Sequence, residues 1–552
     1  MADPAEKAAT PTAQGTDPTP SRAVVRDQAS NEFVFAVVGH VGSGTTKVAT
    51  SLRDLLRTAP EAEAFDTEII KARELIEAWA KENNRPLPEV QPNNLDATEQ
   101  YQNLGDAMRA GGDHASVARR AVQRIRSMRA KKQGIEDPGD EPVIPDGTRR
   151  AYIIDSIRHP AEVELLRRLY RDAFVLIGVV CDARVRLERL HSEKYKSAGM
   201  DAIEKFMDRD SRAAEKHGQR VADAFHMADY FVDNTAPQFL DGRIPNLKEW
   251  DINDNLSRLM KIITHSELVR PTTSETAMHE AYGASLRSAC LSRQVGAALI
   301  DASGNVIATG TNEVPKGGGG VYGEGLASNG DEARCAFRPT KFCSNTKEQN
   351  KIIDEIFDTV PELKALDAIT KNVRKRDMRD SRVGSLIEFS RAVHAEMDAL
   401  FSAARKGIPT TGTRLFVTTF PCHSCARGIV TAGVDEVQYI EPYPKSLALD
   451  LHSDAITVDR KNKDGTPWLA PSQLSAQQNV HIHQAQHPGS RVKFSAFTGV
   501  APRLYRRAFF KDRSLKDSST GDFSIGTTEW GSAWDIHRAS YVEMEAALSK
   551  AS

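Results

Sequence analysis

The first half of the chain alternates short apolar runs with longer stretches whose apolar residues recur at helical spacing. Three runs, at residues 33–38, 151–155 and 174–181, are rich in valine, isoleucine and phenylalanine and are predicted to be buried strands. The polar residues 81–95 and 132–149 are predicted to be loops. Strands and helices that alternate in this way indicate an α/β fold with parallel layers.

The pattern changes near residue 277, where a helix is predicted over residues 279–290. Two runs of strand-forming residues, 295–300 and 306–311, then flank a Ser303-Gly304-Asn305 turn and predict a hairpin. A helix, a strand, a helix and a strand are predicted to follow the hairpin, at residues 386–406, at 414–419, from Pro421 and at 436–441. The second part of the chain is therefore predicted to be another α/β unit.

The chain has 552 residues, which is long for a single core and favours two or more domains. We predict a disordered tail rich in Pro, Thr and Ala at residues 1–30 and α/β units at 31–270 and 271–490. Residues 491–552 are less periodic and are predicted to form a C-terminal extension.

Composition narrows the classes of function. Hydrophobic residues make up 40% of the chain and charged residues 27%, and the formal net charge of −2 does not favour nucleic-acid binding. No apolar run approaches the roughly 20 residues needed to span a bilayer, and the N-terminus lacks the apolar segment of a secretory signal. Six cysteines in a chain of this size do not make a disulfide framework. These features predict a cytoplasmic protein without a membrane partner.

The strongest chemical signal is His394-Ala395-Glu396 followed by Pro421-Cys422-His423-Ser424-Cys425. Catalytic zinc takes three protein ligands and leaves a fourth position for water, and His394, Cys422 and Cys425 are the predicted ligands. Glu396 is then predicted to be the catalytic residue that transfers protons. A structural zinc site or a redox pair are the alternatives. Pro421 suits a first helical turn, and helix N-termini favour cysteine thiolates.

This motif has the form of the zinc nucleobase-deaminase signature. Residues 285–450 as a whole resemble deoxycytidylate deaminases of the cytidine-deaminase-like superfamily. The resemblance implies a three-layer α/β/α fold around a mixed sheet, a zinc cofactor and hydrolytic loss of the amine at C4 of a cytosine nucleotide. The matching segments are residues 287–300, 306–318, 391–400 and 413–446.

The same resemblance implies further site residues. Asn312 would contact the nucleoside, and Arg391 would meet phosphate unless it forms a surface ion pair. Some members carry a second, structural zinc, for which Cys290, Cys335 and Cys343 are the candidate ligands. Buried free cysteines are the alternative.

Residues 38–47, VGHVGSGTTK, lie between a predicted strand and a predicted helix and have the length of a phosphate-binding loop. With Asp155 at a later strand end, they resemble nucleotide-kinase-like P-loop proteins, which implies a P-loop domain over residues 31–270 and a Mg²⁺ ion near Thr46 and Asp155. Thr45 stands where the lysine belongs, so a nucleotide site without phosphoryl transfer, a kinase that uses Lys47 and an empty scaffold remain alternatives. The candidate nucleotide-binding residues are Gly39, Gly42, Ser43, Gly44, Thr45, Thr46, Lys47 and Asp155.

The combination of both units resembles the bacterial antiphage dCTP/dCMP deaminases. It implies conversion of dCTP or dCMP, or both, to dUTP or dUMP and ammonia, which depletes the dCTP pool during phage infection. It also implies a homo-oligomer, with a hexamer as one size, and an inhibitory RNA or a nucleotide as effector. A deaminase of tRNA or single-stranded DNA, or an RNA-regulated sensor, is the alternative function. The basic, aromatic residues 493–510 could close over phosphates, bind RNA or form an amphipathic helix packed on the domain.

Overall fold

The structure is a computed structural model of the chain. It describes residues 30–58, 64–89, 93–139, 141–213, 215–240, 244–246, 249–323, 332–443, 446–458, 468, 470–472, 491–511, 513–526 and 541–550. The predicted tail at residues 1–30 lies outside the described residues except for Ser30.

The first unit alternates strands and helices. Its strands are β1 Glu32–Val38, β2 Asp66–Lys71, β3 Arg150–Ile157, β4 Phe174–Val180, β5 Tyr230–Asp233, β6 Phe239–Leu240 and β7 Ile244–Pro245. Its helices are α1 Thr45–Thr58, α2 Ala72–Glu82, α3 Leu95–Ala110, α4 Ser116–Lys132, α5 Pro160–Tyr170, α6 Ala183–Arg189, α7 Met200–Ser211, α8 Val221–Phe225 and α9 Ile252–Thr264, with short turns of other helix types at Arg171–Ala173 and Leu190–Lys194.

The second unit and the C-terminal residues supply the remaining elements. The strands are β8 Gly296–Ile300, β9 Val306–Thr311, β10 Arg414–Thr419, β11 Glu436–Glu441, β12 Ile456–Thr457, β13 Val492–Ala496 and β14 Gly499–Val500. The helices are α10 Thr273–Ser285, α11 Ser344–Thr359, α12 Pro361–Lys364, α13 Ala368–Asp380, α14 Ala395–Arg405, α15 His423–Thr431, α16 Ala448–Leu451, α17 Pro502–Phe509 and α18 Val542–Lys550, with a 3-10 turn at Arg382–Ser385.

The first sheet has the strand order β14-β5-β4-β1-β3-β2, and its strands run parallel except β14. Every residue of the central strand β1 is buried, because helices cover both faces of a parallel sheet. The three predicted strands are observed, and the α/β alternation is confirmed for this unit. Among the described residues, none of the helices combines the length and the apolar character needed to cross a membrane.

The second sheet is mixed and has the order β12-β13-β11-β10-β8-β9. Strands β8 and β9 form the predicted hairpin, and β10 runs antiparallel to β8 but parallel to β11. Helix α10 packs on one face, while α14 packs on the other. The expected three-layer α/β/α arrangement around a mixed sheet is therefore confirmed.

Two glycines bring the helices close to this sheet. A Cβ atom at Gly296 would lie 1.9 Å from the carbonyl oxygen of Ala281 in α10, and one at Gly310 would lie 2.1 Å from the carbonyl oxygen of Ala395 in α14. Any larger residue would push the helices away from β8 and β9. The absence of a side chain at Gly310 therefore lets α14, the helix that begins directly after His394, lie close to the sheet.

Three predicted helices differ from the structure in their bounds. The helix predicted over residues 279–290 is found at Thr273–Ser285, where Thr272 and Glu275 form a capping box at its start. The helix predicted over residues 386–406 begins only at Ala395, because residues 386–392 form turns and bends and Val393 pairs with Glu313 as an isolated β-bridge. Pro421 likewise lies outside α15, which begins at His423 with Cys422 as its N-cap. The bridge at Val393 is a tertiary contact that local propensity does not encode, whereas the N-cap at Cys422 is a local contact with the backbone N–H of Cys425.

The described part of residues 491–552 packs against both units. Strand β13 joins the second sheet, and β14 joins the first sheet by pairing with β5. Helix α17 packs against helix α10, where Tyr505 stacks on His279 with ring centroids 4.1 Å apart. Of the three alternatives for the basic, aromatic segment, the packed helix is thus the one observed.

Helix α18 also packs on the first unit. Arg129, which is 0% exposed, contacts Glu545 at 2.6 Å and Glu32 at 2.7 Å. A buried guanidinium shared by two carboxylates ties the end of the chain to β1.

Candidate metal centre and active-site cavity

Three potential metal ligands meet where two helices begin. His394 is the N-cap of α14, Cys422 is the N-cap of α15, and Cys425 lies in the first turn of α15. Nδ1 of His394 lies 3.4 Å from Sγ of Cys422 and 3.3 Å from Sγ of Cys425. Tetrahedral zinc, with bonds of about 2.3 Å to sulfur and about 2.0 Å to nitrogen, separates such atoms by about 3.6 Å. The three side chains therefore fit a zinc ion.

The surroundings favour the thiolate that zinc requires. A hydrogen bond from Cys425 lowers the pKa of Cys422 to about 4. The backbone N–H of Cys425 also donates to Sγ of Cys422 at 3.5 Å, at the positive end of α15. The hydrogen bond with Cys422 raises the pKa of His394 to about 9. Zinc binding would release the proton of His394, because only the deprotonated imidazole is a ligand.

Glu396 lies beside this group, in the first turn of α14, and is 4% exposed. Burial raises the pKa of its carboxyl to about 6. Two residues later, Asp398 accepts the backbone N–H of Thr311 at 3.1 Å and anchors α14 to β9. Because this contact holds α14 against β9, it also fixes the position of Glu396 relative to the sheet.

A cavity of about 690 Å³ opens onto these residues, a volume typical of small-ligand sites. Asn312 and Arg391 both line it. The amide of Asn312 donates to the carbonyl oxygen of Arg293 and accepts the N–H of Val295, both at 2.7 Å. Arg391 is exposed and donates to the carbonyl oxygen of Ala333 at 2.9 Å. Contacts of Asn312 and Arg391 with a substrate stay predictions.

Several cavity residues were missed by the sequence analysis. Phe420 and Tyr443 lie at the ends of β10 and β11, and their closeness to the cysteine motif was an available signal. Arg293 pairs with Glu441 at 3.2 Å on the same wall. Arg212, at the end of α7, lines the cavity from the first unit, and no local pattern points to that role.

The candidate second zinc site has a different geometry. Cys290, Cys335 and Cys343 are half-buried free cysteines that line the same cavity. Within the described ranges, the only three-residue group with ligand atoms all within 4.8 Å of one another consists of His394, Cys422 and Cys425. The structure therefore does not gather the other three cysteines into a metal site.

The glycine-rich loop follows β1 and leads into α1. Gly42 and Gly44 have φ angles of +83° and +84°, which glycine adopts without strain. The hydroxyl of Thr46 donates to Oδ2 of Asp155 at 2.6 Å, so the two oxygen groups expected to hold Mg²⁺ are adjacent. Nδ2 of Asn234 donates to the carbonyl oxygen of Ser43 at 2.7 Å and closes over Gly44.

The loop is also bonded to α7 within the chain. Oδ2 of Asp210 accepts the backbone N–H of Val41 at 2.8 Å, and Oδ1 accepts a guanidinium N–H of Arg158 at 2.8 Å. Thr45 is 9% exposed, and the ammonium of Lys47 lies over the Trp250 ring, 4.9 Å from its centroid. Two residues after Asp210, Arg212 reaches the candidate active site.

The fold and the site together define the class of protein to which this part of the chain corresponds. A three-layer α/β/α unit that gathers one histidine, two cysteines and a buried glutamate has the arrangement of zinc nucleobase deaminases. Residues 271–441 match the family model described as the cytidine and deoxycytidylate deaminase zinc-binding region. The C-terminal part of the chain therefore carries a domain of the cytidine and deoxycytidylate deaminase family.

Individual relatives match between 15% and 35% of the chain. The deoxycytidylate deaminase of Enterobacteria phage T4 is 26% identical over 206 residues, which is 35% of this chain and 94% of the relative. ComE operon protein 2 of Bacillus subtilis is 32% identical over 93 residues, or 15% of this chain and 49% of the relative. The crystal structure of the dCMP deaminase from cyanophage S-TIM5 in complex with dCMP and dUMP aligns with 34% of this chain and 93% of its own, at 22% identity and a TM-score of 0.21.

Proposed function

We propose that the protein hydrolytically deaminates deoxycytidine nucleotides, converting dCTP or dCMP, or both, to dUTP or dUMP and ammonia. The observation that carries the proposal is the buried Glu396 beside the three ligands His394, Cys422 and Cys425, in a cavity of about 690 Å³. The deaminase family match of residues 271–441 and the phage T4 deoxycytidylate deaminase support the substrate class.

The chain's own residues account for the proton transfers. His394, Cys422 and Cys425 would hold a zinc ion, which when bound would supply Lewis-acid activation of a water molecule. A carboxylate oxygen of Glu396 accepts a proton from the water that attacks C4 and delivers it to the departing amino nitrogen. Phe420 and Tyr443 line the cavity and offer aromatic faces for the base.

A substrate panel tests the proposal. Purified protein is incubated with deoxycytidine, dCMP, dCTP, CTP, a cytosine-containing single-stranded DNA and tRNA, and ammonia and the deaminated product are measured. Turnover of dCTP or dCMP is expected. Turnover of the polynucleotides alone would support the alternative function instead. The resemblance to antiphage deaminases extends the proposal to defence, with a fall in the dCTP pool of infected cells as its readout.

We further propose that the loop at residues 39–47 binds the phosphates of a regulatory nucleotide, with Mg²⁺ near Thr46 and Asp155. The positive φ angles of Gly42 and Gly44 and the contact of 2.6 Å between Thr46 and Asp155 support this second function. A neutral threonine at position 45 cannot supply the charge that stabilises phosphoryl transfer. Binding without transfer is therefore expected.

Gly44→Val is expected to weaken nucleotide binding at least about tenfold. A Cβ atom at this position would lie 2.3 Å from Nδ2 of Asn234, and valine rarely adopts a φ of +84°. Calorimetry on the full chain measures the dissociation constant. Gly111→Val is the matched control, because its φ is −68° and no other atom lies within 4 Å of the added Cβ. Equal affinities in the two variants would contradict the nucleotide site, and detectable phosphoryl transfer would restore the kinase alternative.

We also propose that the protein is a homo-oligomer, as the resemblance implies. Light scattering at micromolar concentration is expected to give a multiple of the chain mass of 60.7 kDa, with six copies for a hexamer. A measured mass equal to that of one chain would contradict this proposal.

A further inference from the structure

A second cavity, of about 1200 Å³, lies between the two units. One wall is formed by residues at the carboxyl ends of β1, β4 and β5, where open α/β sheets bind their ligands. The opposite wall belongs to the second sheet and includes residues of β11 and β13. The wall residues used below are His40, Ser43, Arg184, Arg186 and Phe225 of the first unit and Gln438, Tyr439, Lys493 and Phe494 of the second.

The loop side of the cavity contains polar atoms that need a partner. Ser43 is 1% exposed, yet its Oγ has no hydrogen-bond partner in the described part of the chain, and neither has Nδ1 of His40. Such buried groups are costly unless a ligand or water satisfies them. Arg184 and Arg186 add positive charge on this side, and Arg186 donates to the carbonyl oxygen of Val41 at 3.3 Å. These groups suit a phosphate.

The remaining wall residues suit the base and the sugar of a nucleotide. Phe225, Tyr439 and Phe494 line the cavity, as does Gln438, whose amide can both donate and accept. Lys493 of β13 gives the second unit a positive charge of its own. Four carboxylates also line the cavity; they are Asp182, Asp233 and Glu249 of the first unit and Glu436 of the second.

We propose that this cavity binds the regulatory nucleotide as a composite site, with phosphates against the loop of the first unit and with the base and sugar against β11 and β13 of the deaminase unit. The inference rests on the proposed nucleotide-binding function of the loop and adds that Lys493 and Tyr439 are part of the same site. A ligand that touches both units has different contacts whenever the units shift, which is the requirement for an effector.

The composite site and the active-site cavity are in contact through one pair of aromatic rings. Tyr439 packs edge-on against Phe420, with ring centroids 4.8 Å apart, and Phe420 lines the active-site cavity two residues before Cys422. Pro442 lines both cavities. A nucleotide that displaces the Tyr439 ring therefore changes the packing of the wall next to the zinc ligands.

Lys493→Gln tests the composite site from the deaminase side. Calorimetry on the full-length protein with Mg²⁺ and ATP, GTP or dTTP, each in a separate titration, is expected to show a dissociation constant about tenfold weaker than in the wild type. Lys406→Gln is the matched control, because Lys406 is an exposed residue of the same unit outside this cavity. Equal affinities in the two variants, or no binding of any of the three nucleotides to the wild type at millimolar concentration, would overturn the inference.

Ser43→Ala tests the loop side, and circular dichroism and zinc content establish that each variant is folded. A weaker affinity in both Ser43→Ala and Lys493→Gln supports one site shared by the units. A loss in Ser43→Ala alone would confine the site to the first unit and overturn the composite arrangement. Binding is measured without turnover, so a protein that binds nucleotide in this way but deaminates nothing would refute the proposed enzyme activity and leave the composite site standing.

Discussion

Glu396→Gln is expected to lower the rate of deoxycytidine nucleotide deamination by about 10²–10⁴-fold while zinc remains bound. Glutamine keeps the size of the buried side chain but cannot accept a proton from water. His394, Cys422 and Cys425 form the ligand group without Glu396, so the metal is retained. Product formation and zinc content, measured on the same preparation, check both parts of the prediction.

Glu355→Gln is the matched control for this variant. Glu355 is an exposed residue of α11, and the same change of charge there should leave turnover at the wild-type level. A Glu396→Gln protein that keeps most of the wild-type rate with a full complement of zinc would assign the proton transfer to another group.

Cys422→Ser and Cys425→Ser are each expected to lose zinc and, with it, all measurable deamination. Each variant leaves two of the three protein ligands that a catalytic zinc site needs. Both cysteines also pack in the core of the second unit, at 4% and 2% exposure, so each new hydroxyl without a partner should cost about 1–3 kcal/mol of stability. Metal analysis and thermal unfolding measure the two effects.

Ser424→Ala provides the comparison in the same helical turn. Ser424 is exposed and lies between the two cysteines, so zinc content and activity should not change. Stoichiometric zinc at this site in either cysteine variant would show that the ligand set is wrong.

The zinc ligands were predictable because their spacing is itself a chemical constraint. His394 and Glu396 share one helix start, Cys422 and Cys425 share another, and the strand β10 between them leads back to the same edge of the sheet. The three strands of the first unit and the hairpin of the second were predictable for a related reason. Their apolar runs are buried on a sheet, and burial leaves a pattern in the sequence.

The sequence did not predict that strands of the C-terminal residues would join both sheets. Strand β14 consists of Gly499 and Val500, which is too short to leave a pattern, and its partner β5 is distant in sequence. The start of α14 was misplaced because the bridge between Glu313 and Val393 is a contact that local propensity does not include. The start of α15 was misplaced because its N-cap is Cys422, whose Sγ accepts the backbone N–H of Cys425.

The sequence by itself determined the candidate chemistry of this protein, namely the candidate metal ligands, the carboxylate proposed to transfer protons and the glycines of the loop. The tertiary structure alone decided what surrounds that chemistry. It placed Arg212 of the first unit on the wall of the active-site cavity and brought Ser43 and Tyr439 to a common cavity between the units. The motifs are visible in the sequence because His394 and Glu396 share one helix start and Cys422 and Cys425 share another. Cavity walls are formed by side chains that meet only when distant segments pack, and that packing depends on the whole chain.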